Sequence, residues 1–133
     1  MKKIILTIAA FIAVNFASLA NDAPVRNLDT INRYKIAATS ERMAHCLKLN
    51  DKQAYWNDLY WNDYKTNMLK AYFENDEGYV PNAVRTNLKR MRNILTQKQY
   101  TMYRRILINT LINNNFIENE ENLPEKYIFL KTL

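Results

Sequence analysis

The chain holds one histidine and one cysteine, His45 and Cys46, and they are neighbours. A nucleophilic thiol needs a base within hydrogen-bond reach. Residues 25–77 contain neither glycine nor proline, which reads as helix, and successive helical side chains point about 100° apart. The pair is therefore a poor thiol and base. Paired carboxylates would be the next chemistry, but Asp58 and Asp63, five residues apart, do not share a helix face. One histidine is too little for a metal site, and the lone glycine excludes a phosphate-cradling loop. No catalytic, cofactor-binding or metal-binding residue is expected, and the chain reads as a non-enzyme. Cys46 reads first as buried helix filler, then as an intermolecular disulfide, then as a reactive thiol.

Binding chemistry is better represented. Arg85, Lys89, Arg90, Arg92, Lys98, Arg104 and Arg105 fall between 85 and 105 with no acid among them. Arg85, Lys89 and Arg92 are spaced to line one helix face beside an apolar stripe. Such a face is often only solvated surface. Its functional reading is a groove that draws acidic segments while nearby tyrosines and leucines hold apolar ones. The acidic stretch ENEEN, 118–122, could pair with it from the same chain or another.

A second pattern occurs twice. Leu49-Asn50 is followed by Gln53, and Leu95-Thr96 by Gln99. Asn and Thr are good helix N-caps, because the side-chain oxygen accepts a first-turn N–H that has no other partner. Gln three residues later can accept the N–H of the cap residue itself, which completes a capping box. The leucine before each cap can staple onto the fourth helical residue, Tyr100 in one copy and Ala54 in the other. Each copy therefore marks a sharp helix start. The two lie 46 residues apart, counted from Leu49 to Leu95.

These starts define the elements. Four helices are expected, over 27–48, 51–75, 82–94 and 97–117. They form two helical hairpins joined by the turn NDEGYVPN, and the class is all-α. In the third helix Val84, Leu88, Met91 and Leu95 recur in steps of four, three and four. In the fourth, Tyr100, Tyr103, Leu107 and Leu111 do the same, with Ile106 and Ile108 widening the face. In the second, Trp56, Tyr60, Tyr64 and Met68 recur every fourth residue, flanked by Leu59 and Leu69. The segment YIFL near the end reads either as a short strand or as a docked segment.

With 133 residues the chain suits one domain. Lys2 and Lys3, the apolar run 4–16 and the small residues 17–20 have the layout of a secretory leader cleaved after Ala20. The run contains Asn15 and is shorter than the roughly 20 residues a membrane span needs. The expectation is an exported chain of residues 21–133, periplasmic or secreted, without a stable span. Loss of Lys2 and Lys3 leaves 17 basic against 13 acidic residues, a net charge of +4. That is too weak to imply nucleic acid.

The paired motif in a small helical chain with a leader resembles the LTXXQ-motif family of Spy-type periplasmic chaperones and CpxP-type stress accessory proteins. The stretch RMAHCLKLNDKQ carries the first copy, and ILTQKQY matches the second without change. The first copy has Asn50 where Thr is usual. The resemblance covers about residues 35–110. It implies an elongated, curved hairpin fold, often an antiparallel homodimer, and no cofactor. It also implies ATP-independent holding of unfolded or misfolded envelope proteins, or regulation of an envelope stress sensor. A broad exposed apolar face would favour the first function. A small patch with the stripes fully buried would favour the second.

Overall fold

A computed structural model describes residues 31–36 and 38–133. The expected leader and its cleavage site lie outside these residues. The chain is all-helical over the described residues. Helix α1 is Ser40–Cys46, α2 Asp51–Phe73, α3 Tyr79–Ile94 and α4 Gln97–Asn113, and a 3-10 helix follows at Glu125–Lys131. Asn32–Leu133 pack as one compact unit. Among the described residues no helix is long and apolar enough to cross a membrane.

Both capping boxes form. Asn50 Oδ1 accepts the Gln53 N–H at 2.8 Å, and Gln53 Oε1 accepts the Asn50 N–H at 3.1 Å. Thr96 Oγ1 and Gln99 Oε1 repeat this at 3.2 and 2.9 Å. Helices α2 and α4 therefore start at the expected residues.

The ends depend on another device. A glycine in the left-handed region is the usual helix stop, but this chain has one glycine. Lys48, Asn75 and Asn115 take that conformation instead, at φ 54°, 54° and 61°. Behind them the N–H groups of Leu49, Asp76 and Phe116 reach back to the carbonyls of Ala44, Ala71 and Leu111 at 2.9 to 3.0 Å. This 6→1 closure satisfies carbonyls the last turn would leave bare.

Three boundaries differ from the sequence reading by three residues or more, and the first two helices also end two residues early, at Cys46 and Phe73. The first helix was expected over 27–48, but the described residues from 33 to 39 are turn and irregular backbone, and α1 begins only at Ser40. Thr39 caps it, its hydroxyl accepting the Arg42 N–H at 3.1 Å. Trp61 and Arg33 hold the segment before it. Trp61 Nε1 donates to the Ala38 carbonyl at 2.9 Å. Arg33 pairs with Glu77, donates to the Asn114 and Asn115 carbonyls at 2.9 and 2.8 Å, and lies 4.4 Å from the Phe116 ring centre. Next, α3 starts at Tyr79, three residues earlier than expected. Pro81 sits in its first turn, where a missing N–H costs nothing. Finally, α4 stops at Asn113 rather than 117.

The packing order follows from paired side chains. Helices α2 and α3 run antiparallel, with Arg90 Nη1 2.8 Å from Asp63 and Asn87 Nδ2 3.4 Å from the Tyr60 carbonyl. Helix α4 returns along α3, and the Tyr103 hydroxyl donates to Asn87 Oδ1. Tyr103 also meets Trp61 of α2 edge-on at 6.1 Å. Helix α1 lies against α2, where Asn57 Nδ2 donates to the Ser40 carbonyl at 3.1 Å.

In α2 the buried stripe is Asn57, Trp61, Tyr64, Met68, Ala71 and Tyr72. The expected stripe through Trp56 and Tyr60 is corrected by this. A strict four-residue repeat drifts about 40° per step on a 3.6-residue helix, so it leaves the core face. Steps alternating four and three stay on it. The stripes of α3 and α4 are buried through Val84, Leu88, Met91, Tyr100, Tyr103, Leu107, Ile108 and Leu111, while Leu95 and Ile106 are only half-buried.

Candidate functional site

The two motifs meet. Gln53 Nε2 donates to Gln99 Oε1 at 2.8 Å, and Gln99 Nε2 lies 3.4 Å from Gln53 Oε1. Gln53 Nε2 also donates to the Ile94 carbonyl at 3.0 Å, and Gln99 Nε2 to the Leu47 carbonyl at 3.2 Å. Each glutamine thus caps its own helix and secures the end of the helix before the other motif. Every polar atom of both amides is engaged in holding the fold. The arrangement ties the two helix junctions together, and it leaves the glutamines no free donor or acceptor for a ligand.

Arg85, Lys89 and Arg92 do share one exposed face of α3. The Arg85 guanidinium lies 4.7 Å from the Phe129 ring centre, and that of Arg92 lies 5.8 Å from Tyr100. The apolar stripe beside them is closed, because Val84, Leu88 and Met91 are fully buried. These residues form a charged rim, not the wall of an open apolar cleft.

The open apolar surface is elsewhere, on the outward side of α2. Tyr55, Trp56 and Leu59 are 61%, 36% and 45% exposed, and Tyr60 is half-buried beside them. Positions i, i+1, i+4 and i+5 fall on one side of a helix. Tyr55 and Trp56 meet edge-on at 5.3 Å, and Trp56 stacks on Tyr60 at 5.7 Å. The Arg90 guanidinium continues the row, 5.4 Å from the Tyr60 ring centre, and Asp63 anchors it. The result is one ridge of aromatic faces ending on an ion pair. Sequence reasoning placed Trp56 and Tyr60 in the core and missed the ridge. The alternating spacing of the true core stripe was the signal that would have found it.

The reactive residues are dispersed. Cys46 is exposed, so the expectation of a buried helix filler is corrected. It sits in the last turn of α1, which bends away into the first junction. His45 beside it is exposed too. Asp58 accepts a 2.6 Å bond from the Ser40 hydroxyl, so it ties α1 to α2, while Asp63 ties α2 to Arg90. The two acids have separate structural partners.

Burial raises four phenols above the ordinary tyrosine range, with Tyr100 the fourth, where Arg92 and Arg104 oppose the rise. Tyr64 is raised by burial first and then by Tyr127. Tyr103 is raised by burial and Tyr64, against the opposing bond with Asn87. Tyr127 is raised by burial and then by Glu77. None is poised to lose a proton near neutrality. Tyr64 Oη has no hydrogen-bond partner among the described residues.

Comparison with known proteins returns no matching family model, no matching curated protein and no matching solved structure.

Proposed function

We propose that this protein is an exported, non-enzymatic binding module that docks one folded partner, such as an envelope sensor domain, through the ridge of Tyr55, Trp56, Leu59 and Tyr60. The observation that carries the reading is the ridge itself. Aromatic side chains exposed side by side on a helix are unusual for a free surface and are enriched at the centres of interfaces. The Arg90–Asp63 pair at its end supplies a polar rim of the kind such interfaces have. Holding unfolded chains would need a broad apolar face, and the residues that would supply one, Val84, Leu88, Met91 and Leu107, are buried. The paired capping motifs and the leader-like start support export and the likeness to the LTXXQ-motif family, whose accessory members fit this reading better than its chaperones.

The test is a photo-crosslinking amino acid at position 56 in the exporting cell. One dominant adduct, lost when Tyr55 and Leu59 are changed to Ser, supports docking on one partner. A spread of adducts, together with suppressed aggregation of several unrelated unfolding proteins, would replace that reading with a general holding function.

A further inference from the structure

The apolar face shared by α3 and α4 is covered by the chain's own last residues. After α4 the backbone turns at Asn115, and residues 118–126 are exposed except for half-buried Leu123. The 3-10 helix then sets two anchors, Tyr127 and Leu130, each about 1% exposed. Residues three apart eclipse on such a helix, so both anchors point the same way. Phe129 lies under the Arg85 guanidinium at 4.7 Å.

The polar tethers share one character. Arg104 of α4 donates to the Leu130 carbonyl, and the Tyr100 hydroxyl donates to the Leu133 main-chain oxygen at 2.8 Å. Arg104 also stands 3.9 Å from Glu120. In both hydrogen bonds the helix side chain donates and the tail backbone accepts. That is how a protein holds a peptide whose exact sequence is secondary. Beside the tail lies a hollow of about 310 Å³, lined by Gln97, Tyr100, Thr101, Arg104 and Arg105 together with the tail's own Glu120 and Leu133.

We propose that this face is a peptide-binding groove, that the tail fills it in cis, and that its ligand in trans is a peptide of the tail's chemistry. That chemistry is an acidic stretch followed by two apolar anchors three residues apart. The acids meet the basic rim of Arg85, Arg104 and Arg105, the anchors take the places of Tyr127 and Leu130, and Arg104 and Tyr100 bind the backbone. The tail then acts as a competitor that sets the apparent affinity, because a ligand binds only the fraction of molecules with the groove open. Buried Tyr64 of α2 also lies beside Tyr127, but the residues that bind the tail's backbone, Arg104 and Tyr100, belong to α4 and none of them is in the ridge.

Two measurements on the full chain test this. In native-state hydrogen exchange, the tail amides of Tyr127, Thr132 and Leu133 should exchange at least about a hundredfold faster than the central amides of α2 to α4, because they open locally. Equal rates would make the tail part of the cooperative core and overturn the proposal. In the second, a fluorescent peptide of residues 117–133 is titrated against the parent and against the Tyr127→Ser, Leu130→Ser variant. The variant should bind about tenfold more tightly, since its own tail competes less, and adding Arg104→Glu should abolish the gain. Binding no tighter than to the parent, equal binding of a reversed-sequence peptide, or loss of the variant's helical signal would each overturn the groove.

Discussion

The side-chain amides of Gln53 and Gln99 are joined at 2.8 Å, and each also holds the helix end that precedes the other's motif. Two sequence-local caps therefore work as one tertiary tie. Gln53→Ala and Gln99→Ala should each cost about 1–2 kcal/mol, and the double variant should cost less than their sum by about 1 kcal/mol. Urea unfolding of the four proteins measures this. Strict additivity would mean that the contact between the glutamines contributes nothing. Within one motif, Thr96→Ala should cost about 1 kcal/mol, and Thr96→Asn should stay close to the parent, as Asn50 already serves the other copy.

Lys48 holds a left-handed conformation at φ 54° that Asn75 and Asn115 reach with a better-suited side chain. Lys48→Asn should stabilise the protein by about 0.5–1 kcal/mol, since a Cβ in this region is costly and Asn tolerates it best after glycine. Thermal melting checks the sign. A lower melting temperature would show that the lysine stem makes a contact worth more than the strain.

Tyr64 and Tyr103 are both fully buried phenols with opposite accounts. Tyr64 Oη is without a hydrogen-bond partner among the described residues, while the Tyr103 hydroxyl serves Asn87. Tyr64→Phe should be neutral or slightly stabilising, and Tyr103→Phe should cost about 1–2 kcal/mol by stranding the Asn87 oxygen. The raised pKa values of Tyr64, Tyr103 and Tyr127 add a pH dependence. Below about pH 10 folded and unfolded chains both keep these protons, so the contribution is fully present. Above it the unfolded chain releases protons that the folded chain retains, and stability must fall. Denaturation at pH 8 and pH 11 measures the loss, which Tyr64→Phe should reduce.

Arg85, Lys89 and Arg92 are exposed, so their reversal to Glu should leave the helical content unchanged. The on-rate for the acidic peptide of residues 117–133 should drop several-fold at low salt, with a smaller drop as added salt screens the rim. Stopped-flow rates at two ionic strengths decide this. Equal, salt-independent rates in parent and variant would leave the face as ordinary solvated surface.

What the sequence made legible was local. Asn50, Gln53, Thr96 and Gln99 announced two helix starts because a capping box is closed within four residues. That the boxes bind one another depends on how α2 and α4 pack, and no spacing encodes it. The late start of α1 was hidden because Thr39 looks like any helical threonine, and the Trp61 and Arg33 bonds that hold the segment before it come from distant elements. Pro81 misled in the other direction, since a proline in a first turn looks like a breaker until the helix start is known. Trp56 was misplaced by counting in fours, and the exposed ridge went unseen with it. The tail could not be resolved between strand and docked segment, because Tyr127 and Leu130 gain their meaning only from the groove of α3 and α4.

Asn87 has a wider consequence. Its amide, buried among Leu88, Met91 and Tyr103, accepts from α4 and donates to the backbone of α2. Three helices whose facing stripes are mostly aliphatic and aromatic could slide past one another by a turn and still bury similar area. A buried polar side chain with two fixed partners favours one alignment, as a lone asparagine does in a coiled-coil seam. Asn87→Leu alone is expected to lower the melting temperature, because it strands the buried Tyr103 hydroxyl, whereas Asn87→Leu with Tyr103→Phe is expected to recover most of that loss while the core becomes degenerate. Broadened methyl resonances and dye binding would be its marks. In this molecule the choice among near-equivalent registers falls to buried Asn87 together with the Gln53–Gln99 tie, and the apolar stripes supply cohesion without selecting among them.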